Sequence, residues 1–129
     1  MIISGIVNPQ LLSLLCRVRH TNSLVIADVG FPSWPGIETV DLSLVHGIPT
    51  VLQVVNALRA RWKCGEIYMA QEFMEHNDRR TRAAFVKACA GAELRFEPHP
   101  QFKQRVPRAT GLIRTGDPIQ YANMILVSA

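Results

Sequence analysis

The chain has 129 residues, of which 48% are hydrophobic and 19% are charged, and its formal net charge is +4. This composition is that of a globular protein and excludes disordered and fibrous chains. The length predicts a single domain over residues 1–129, and no apolar run is long enough to cross a membrane.

The positive charge is spread over many segments of the chain rather than gathered in one block. No recognition motif or aromatic platform accompanies it, so a solvated surface is predicted and no nucleic-acid partner is expected. The N-terminus lacks the basic-then-apolar pattern of a signal peptide, and we therefore expect a cytoplasmic protein.

The three cysteines, Cys16, Cys64 and Cys89, are odd in number and widely spaced. This pattern argues against a disulfide framework and against a zinc motif. Cys16 and Cys89 fall within apolar helical patterns, so both are predicted to be small residues of the core.

The first predicted elements are a helix and a buried strand. Asn8 and Pro9 form a typical helix start, because an N-cap residue precedes proline at the first helical position. After a polar break at 20–23, the apolar run 24–27 predicts a strand buried on both faces. The strand ends at Asp28, which a loop rich in glycine and proline follows.

Helical and strand patterns alternate along the rest of the chain. The predicted elements are an extended segment at 39–44, a helix at 51–62, a strand at 66–70, a helix from Asn77 or Asp78 to about Ala90, a strand at 93–97, a short helix or turn at 100–104, and strands at 111–114 and 121–127. The alternation predicts an α/β fold, a single domain with a largely parallel sheet flanked by helices.

Two residues, one before and one after the first predicted strand, are candidate catalytic residues. Ligands of open α/β sheets bind beyond the carboxyl ends of the strands, and Asp28 lies at such an end. Spacing alone does not separate a functional carboxylate from one that caps the turn. His20 lies in the turn before the strand and can exchange a proton near neutral pH, although such a histidine is more often a surface residue.

Two further pairs of polar residues are candidates for ligand binding. His99 and Lys103 are four residues apart and share a face if the segment is helical, where they could bind hydroxyl groups or be solvated. Tyr121 and Asn123 are two residues apart at the start of the last predicted strand and are expected to point to one face. Such a pair suits a polyhydroxylated ligand or an edge strand equally well.

No motif of nucleotide-binding or serine-hydrolase chemistry is present. Glu72 and His76 have the i, i+4 spacing of metal ligands on a helix. Because no third ligand lies nearby in the sequence, no metal site is predicted. His46, which precedes Gly47, is interpreted as a turn residue.

Taken together, these stretches resemble the D-ribose pyranase / L-fucose mutarotase family. The similar blocks lie in order along nearly the whole chain, at residues 19–32, 40–49, 72–77, 99–103, 113–116 and 121–126. The segments at 29–32 and 101–103 look closer to the ribose type. The resemblance implies an enzyme that interconverts cyclic forms of a monosaccharide and needs no metal or organic cofactor.

The resemblance also implies an assembly and a set of site residues. Members form ring-shaped homo-oligomers, pentamers or decamers of two stacked pentamers, with the sugar site near the contact between neighbouring subunits. The family's catalytic residues correspond to His20 and Asp28, and its sugar-binding residues to His99, Lys103, Tyr121 and Asn123. We expect His20 to transfer a proton while Asp28 orients it. The alternative is a sugar-binding partner of a transport or kinase system that performs no chemistry.

Overall fold

The structure is a computed structural model that describes all 129 residues. The elements are α1 (Pro9–Arg17), β1 (Ser23–Ala27), β2 (Glu38–Asp41), α2 (Val51–Arg59), β3 (Cys64–Ala70), α3 (Glu72–His76), α4 (Arg79–Ala88), β4 (Glu93–Glu97), α5 (His99–Arg105), β5 (Gly111–Arg114) and β6 (Met124–Ser128), with a 3-10 turn at Val106–Arg108. None of the helices combines the length and the apolar character that a membrane span requires.

The six strands form one sheet in the order β2-β5-β1-β6-β3-β4. Five strands are parallel to one another, and β6 lies antiparallel between β1 and β3. The predicted α/β class with a largely parallel sheet is therefore confirmed. As a consequence, the carboxyl ends of five strands and the amino end of β6 meet at one edge of the sheet.

Strand β1 lies near the middle of the sheet, and its residues from Leu24 to Ala27 are fully buried. Leu24 and Ile26 face a core cluster of twenty residues. Val25 and Ala27 face a second cluster of eight, which includes Phe102 of α5. A strand between two hydrophobic layers explains the unbroken apolar run in the sequence.

The predicted helix ends agree with the structure where a side chain caps the helix. Asn8 Oδ1 accepts a hydrogen bond of 2.8 Å from the Leu11 N–H, and the Asp78 carboxylate accepts one of 2.8 Å from the Thr81 N–H. In each case the side-chain oxygen accepts a hydrogen bond from an N–H group of the first helical turn, which has no partner within the helix. Gly91, after the end of α4, adopts a φ of +84° that favours glycine.

Two predictions about single elements are wrong. The last strand begins at Met124 rather than at Tyr121, because Tyr121 adopts a φ of +56° that no strand accommodates. Cys16 is exposed, whereas Cys89 and Cys64 are buried. Cys16 follows the buried Leu14 by two residues, which places it about 200° around the helix and away from the core.

Candidate active site

A cavity of about 480 Å³ lies at the edge of the sheet where the five parallel strands end and β6 begins. Its lining comes from the segments that follow these strands and from the turn before β6. The lining residues are Asp28, Val29, Gly30, Phe31, Pro32, His46, His76, His99, Lys103, Asp117, Pro118, Ile119, Gln120, Tyr121 and Asn123. Most of these residues have side chains that can form hydrogen bonds with a polar ligand or carry a charge. Five of the six site residues named from the sequence are among them.

Asp28 and Asn123 form a reciprocal pair on the floor of this cavity. The Asp28 N–H donates to Asn123 Oδ1 over 2.7 Å, and Asn123 Nδ2 donates to Asp28 Oδ2 over 3.1 Å. The two residues follow β1 and precede β6, which are hydrogen-bonded neighbours in the sheet. The pairing therefore fixes the carboxylate on the rigid centre of the fold.

Burial raises the pKa of the Asp28 carboxyl above its ordinary value. Hydrogen bonds from Asn123 and from the N–H groups of Gly30 and Phe31 offset part of this shift. The loop that supplies these N–H groups is held by Arg114, whose guanidinium donates to the Phe31 carbonyl over 2.6 Å. Asp28 is thus a partly desolvated carboxylate in a fixed loop, which is a common state for a group that exchanges protons.

His99 and Lys103 share one face of α5 and both line the cavity, as their spacing predicts. The His99 N–H, at the start of the helix, donates to both carboxylate oxygens of Glu72 over 3.1 and 3.0 Å. Burial and the neighbouring Lys103 ammonium lower the pKa of His99. The imidazole is therefore neutral at neutral pH and can bond a hydroxyl group without carrying charge.

Tyr121 contacts two histidine rings that also line the cavity. Its ring centroid lies 5.1 Å from that of His76 and 5.1 Å from that of His99. Tyr121 and Asn123 both line the cavity. The sequence suggested that they share one face of a strand, but both lie in the turn that precedes β6. The left-handed backbone of Tyr121 is uncommon for a bulky residue, and such strain is typical of functional sites.

His20 does not line the cavity. It is exposed in the turn before β1, at the opposite edge of the sheet from Asp28. The five residues of β1 separate the two ends by about 17 Å. Within one chain, His20 and Asp28 therefore do not meet.

The structure adds three cavity residues that sequence analysis left aside, namely His46, His76 and Asp117. Asp117 is almost fully buried, and its carboxylate accepts hydrogen bonds of 2.9 Å from the N–H groups of Val51 and Ile119. Their common signal was position, since each follows the carboxyl end of a parallel strand. His46 had been interpreted as a turn residue and His76 only as one of two residues with the spacing of metal ligands, whereas Asp117 had not been considered as a site residue.

Glu72 and His76, which have the spacing of metal ligands, are engaged in other contacts. The Glu72 carboxylate bonds the His99 N–H, and His76 Nδ1 lies 2.9 Å from the Glu72 carbonyl oxygen. No group of three histidine, cysteine or acidic side chains in the structure is placed to hold a metal ion.

Replacing Asp117 with alanine should lower the free energy of unfolding by about 3 kcal/mol, because the buried Val51 N–H and the partly buried Ile119 N–H lose their acceptor. The Val51 N–H opens α2, so the loss also removes an anionic group from that helix N-terminus. Urea denaturation at fixed protein concentration measures the change. Asp41→Ala, an exposed site, is the matched control, and an equal effect of both variants would contradict this role for Asp117.

The chain is similar in sequence to a known protein family over its whole length. The model of the RbsD / FucU transport protein family matches residues 1–129. The chain is 42% identical over 124 residues to a D-ribose pyranase of Chromobacterium violaceum, which covers 96% of this chain and 94% of that protein.

Two solved structures have the same fold. Bacillus subtilis RbsD complexed with D-ribose matches with a TM-score of 0.92 and 30% identity, over 100% of this chain and 98% of that one. The fucose mutarotase of Streptococcus pneumoniae in complex with L-fucose matches with a TM-score of 0.79 and 17% identity, over 95% and 92% of the two chains.

Proposed function

The chain belongs to the RbsD / FucU transport protein family, and from this premise we propose that it is a monosaccharide mutarotase of the D-ribose pyranase type. As an isomerase it interconverts the cyclic forms of a sugar such as D-ribose or L-fucose. The observation that carries the proposal is the cavity in which Asp28, Asn123, His99, Lys103 and Tyr121 converge. The similarity to D-ribose pyranases over nearly the whole chain supports the same activity.

The reaction requires two proton transfers and no more. Ring opening takes a proton from the anomeric hydroxyl and gives one to the ring oxygen. Closing on another hydroxyl changes the ring size, and closing on the other face of the carbonyl changes the anomer. A positioned acid and base perform both transfers, and a thousandfold gain over the spontaneous reaction requires only about 4 kcal/mol.

The cavity residues suit the binding of a polyhydroxylated substrate. Asp28 supplies a carboxylate, and His99 supplies a neutral imidazole beside the Lys103 ammonium. Tyr121 and Asn123 provide hydroxyl and amide groups that both donate and accept hydrogen bonds. Such groups hold the sugar in register while the ring opens.

We assign the proton-transferring role of His20 to the cavity of a neighbouring copy. The distance along β1 prevents His20 from serving Asp28 of its own chain. The next residue, Thr21, adopts a φ of +69°, which is strained for a β-branched side chain and holds the turn that presents His20. This assignment fits a homo-oligomer, a pentamer or a decamer, in which contacts between chains complete each site.

A second candidate is a sugar-binding partner of a transport system that performs no chemistry. The transport-protein description of the family favours it, and it would use the same cavity residues. The two functions differ in whether the exchange rate of the sugar changes.

The proposed function predicts faster exchange between the ring forms of one sugar when the protein is added. Saturation-transfer NMR on ribose, fucose, galactose and glucose, with and without protein, measures the rates. Faster exchange of ribose alone would establish a D-ribose pyranase. Faster exchange of fucose would instead indicate an L-fucose mutarotase. Tight binding of a sugar with unchanged rates would replace the enzyme with the binding partner.

A further inference from the structure

Two histidines of the cavity, His46 and His76, have no part in the mechanism above, and His76 contacts a sugar-binding residue. His76 ends α3 and lines the cavity, and its ring packs against Tyr121, as does the ring of His99. Tyr121 thus contacts two imidazoles, of which only that of His99 has a sugar-binding role so far. A sugar bound beside Tyr121 would lie within reach of both rings.

The hydrogen bond of His76 determines which ring nitrogen is free. Nδ1 lies 2.9 Å from the Glu72 carbonyl oxygen, which can only accept, so Nδ1 carries the proton. In the neutral ring, Nε2 then has an unshared electron pair. This arrangement, in which a backbone carbonyl fixes the tautomer, is that of a histidine prepared to accept a proton at Nε2.

The short helix that carries His76 is anchored on both sides of the cavity. Asn77 Nδ2 donates to the Gln120 carbonyl over 2.9 Å and ties the helix to the turn that holds Tyr121. The Glu72 carboxylate bonds the His99 N–H and ties the same helix to α5. The His76 ring is therefore positioned relative to both Tyr121 and His99, although it is exposed to solvent.

We propose that His76 is a further catalytic residue that acts as the general base of ring opening; this rests on the proposed function. Nε2 takes the proton of the anomeric hydroxyl, and the C–O bond to the ring oxygen breaks as the carbonyl forms. The ring oxygen keeps the electron pair of the broken bond and takes a proton from the acid of the site, His20. Ring closure reverses these transfers, so both groups regain their starting protonation.

The test uses two substitutions that separate structure from chemistry. His76→Asn keeps an N–H donor for the Glu72 carbonyl but has no group that accepts a proton, and His76→Ala leaves space for free imidazole. Glu75→Gln, an exposed change on the same helix, is the matched control. Circular dichroism confirms that each variant is folded before exchange is measured by NMR.

We expect His76→Asn to lower the maximal exchange rate at least about tenfold. The sugar concentration that gives half of the maximal rate should change less. Imidazole added near neutral pH should restore part of the rate of His76→Ala, which a purely structural role would not allow. Wild-type exchange rates in His76→Asn, or no response of His76→Ala to imidazole, would overturn this role of His76 and leave the proposed function intact. If the wild-type protein accelerates no sugar, the proposed function fails and this inference fails with it.

Discussion

Replacing Asp28 with asparagine should lower the acceleration of sugar exchange about a hundredfold, the lower end of what a positioned acid–base pair contributes. The amide has nearly the shape of the carboxylate and can still accept the hydrogen bond from Asn123 Nδ2. It lacks the negative charge that would orient a proton-transferring histidine and bond a sugar hydroxyl. Saturation-transfer NMR on the substrate found for the wild-type protein measures the change.

The same variant should be at least as stable as the wild-type protein at neutral pH. Because burial raises the pKa of Asp28, the folded state favours the protonated carboxyl more than the unfolded state does. The stability from this group is complete below the ordinary pKa of 3.8 and is lost as the pH rises through the raised value. At neutral pH the ionised carboxylate is therefore a cost that the amide does not carry.

Loss of exchange together with unchanged or higher stability would identify Asp28 as a residue kept for function. Two outcomes would contradict this role. Wild-type exchange rates in Asp28→Asn would remove the carboxylate from the mechanism. A large loss of stability at neutral pH would show that Asp28 is needed for the fold.

The fold could be predicted from local patterns because its central elements are locally consistent. The apolar run 24–27 is buried on both faces, and the caps at Asn8 and Asp78 begin helices where expected. The strand order could not be predicted in this way. It depends on pairing between distant segments, such as β1 with β5 and β6, and no local pattern specifies it.

The candidate site was predictable only in part, for the same physical reason. His99 and Lys103 follow helical spacing, and the structure places them on one face. Asp117 and His76 belong to the cavity because the sheet brings their segments together, which spacing in the chain does not reveal. The left-handed conformation of Tyr121 likewise depends on the turn packed between α3 and α5 and not on its own sequence.

A sheet edge that collects six segments explains why polar residues so far apart in sequence form one cavity. Each parallel strand ends there, and β6 begins there, so loops that differ in length and composition face a common space. His20 lies at the other edge, where β1 begins. This division places His20 and Asp28 of one chain at opposite ends of the same strand, and this has a consequence for mixed oligomers.

Chains carrying His20→Ala and chains carrying Asp28→Asn should each be nearly inactive alone but regain activity when combined in one oligomer. If a site takes Asp28 from one chain and His20 from a neighbour, equal and random mixing leaves about one quarter of the sites with both groups intact. Co-expression with two different tags, followed by purification on both, gives mixed oligomers for the NMR exchange assay. The expected rate is about one quarter of the wild-type rate, well above either variant.

The control is a mixture of the two variants assembled separately, which should stay inactive because no site contains both intact residues. Recovery in the mixed oligomers only would demonstrate a site shared between chains, since neither variant chain carries both groups. Mixed oligomers no more active than the mean of the two variants would contradict the assignment of His20 to a neighbour. His20 would then have to act within its own chain, which the extent of β1 opposes, or have no part in catalysis.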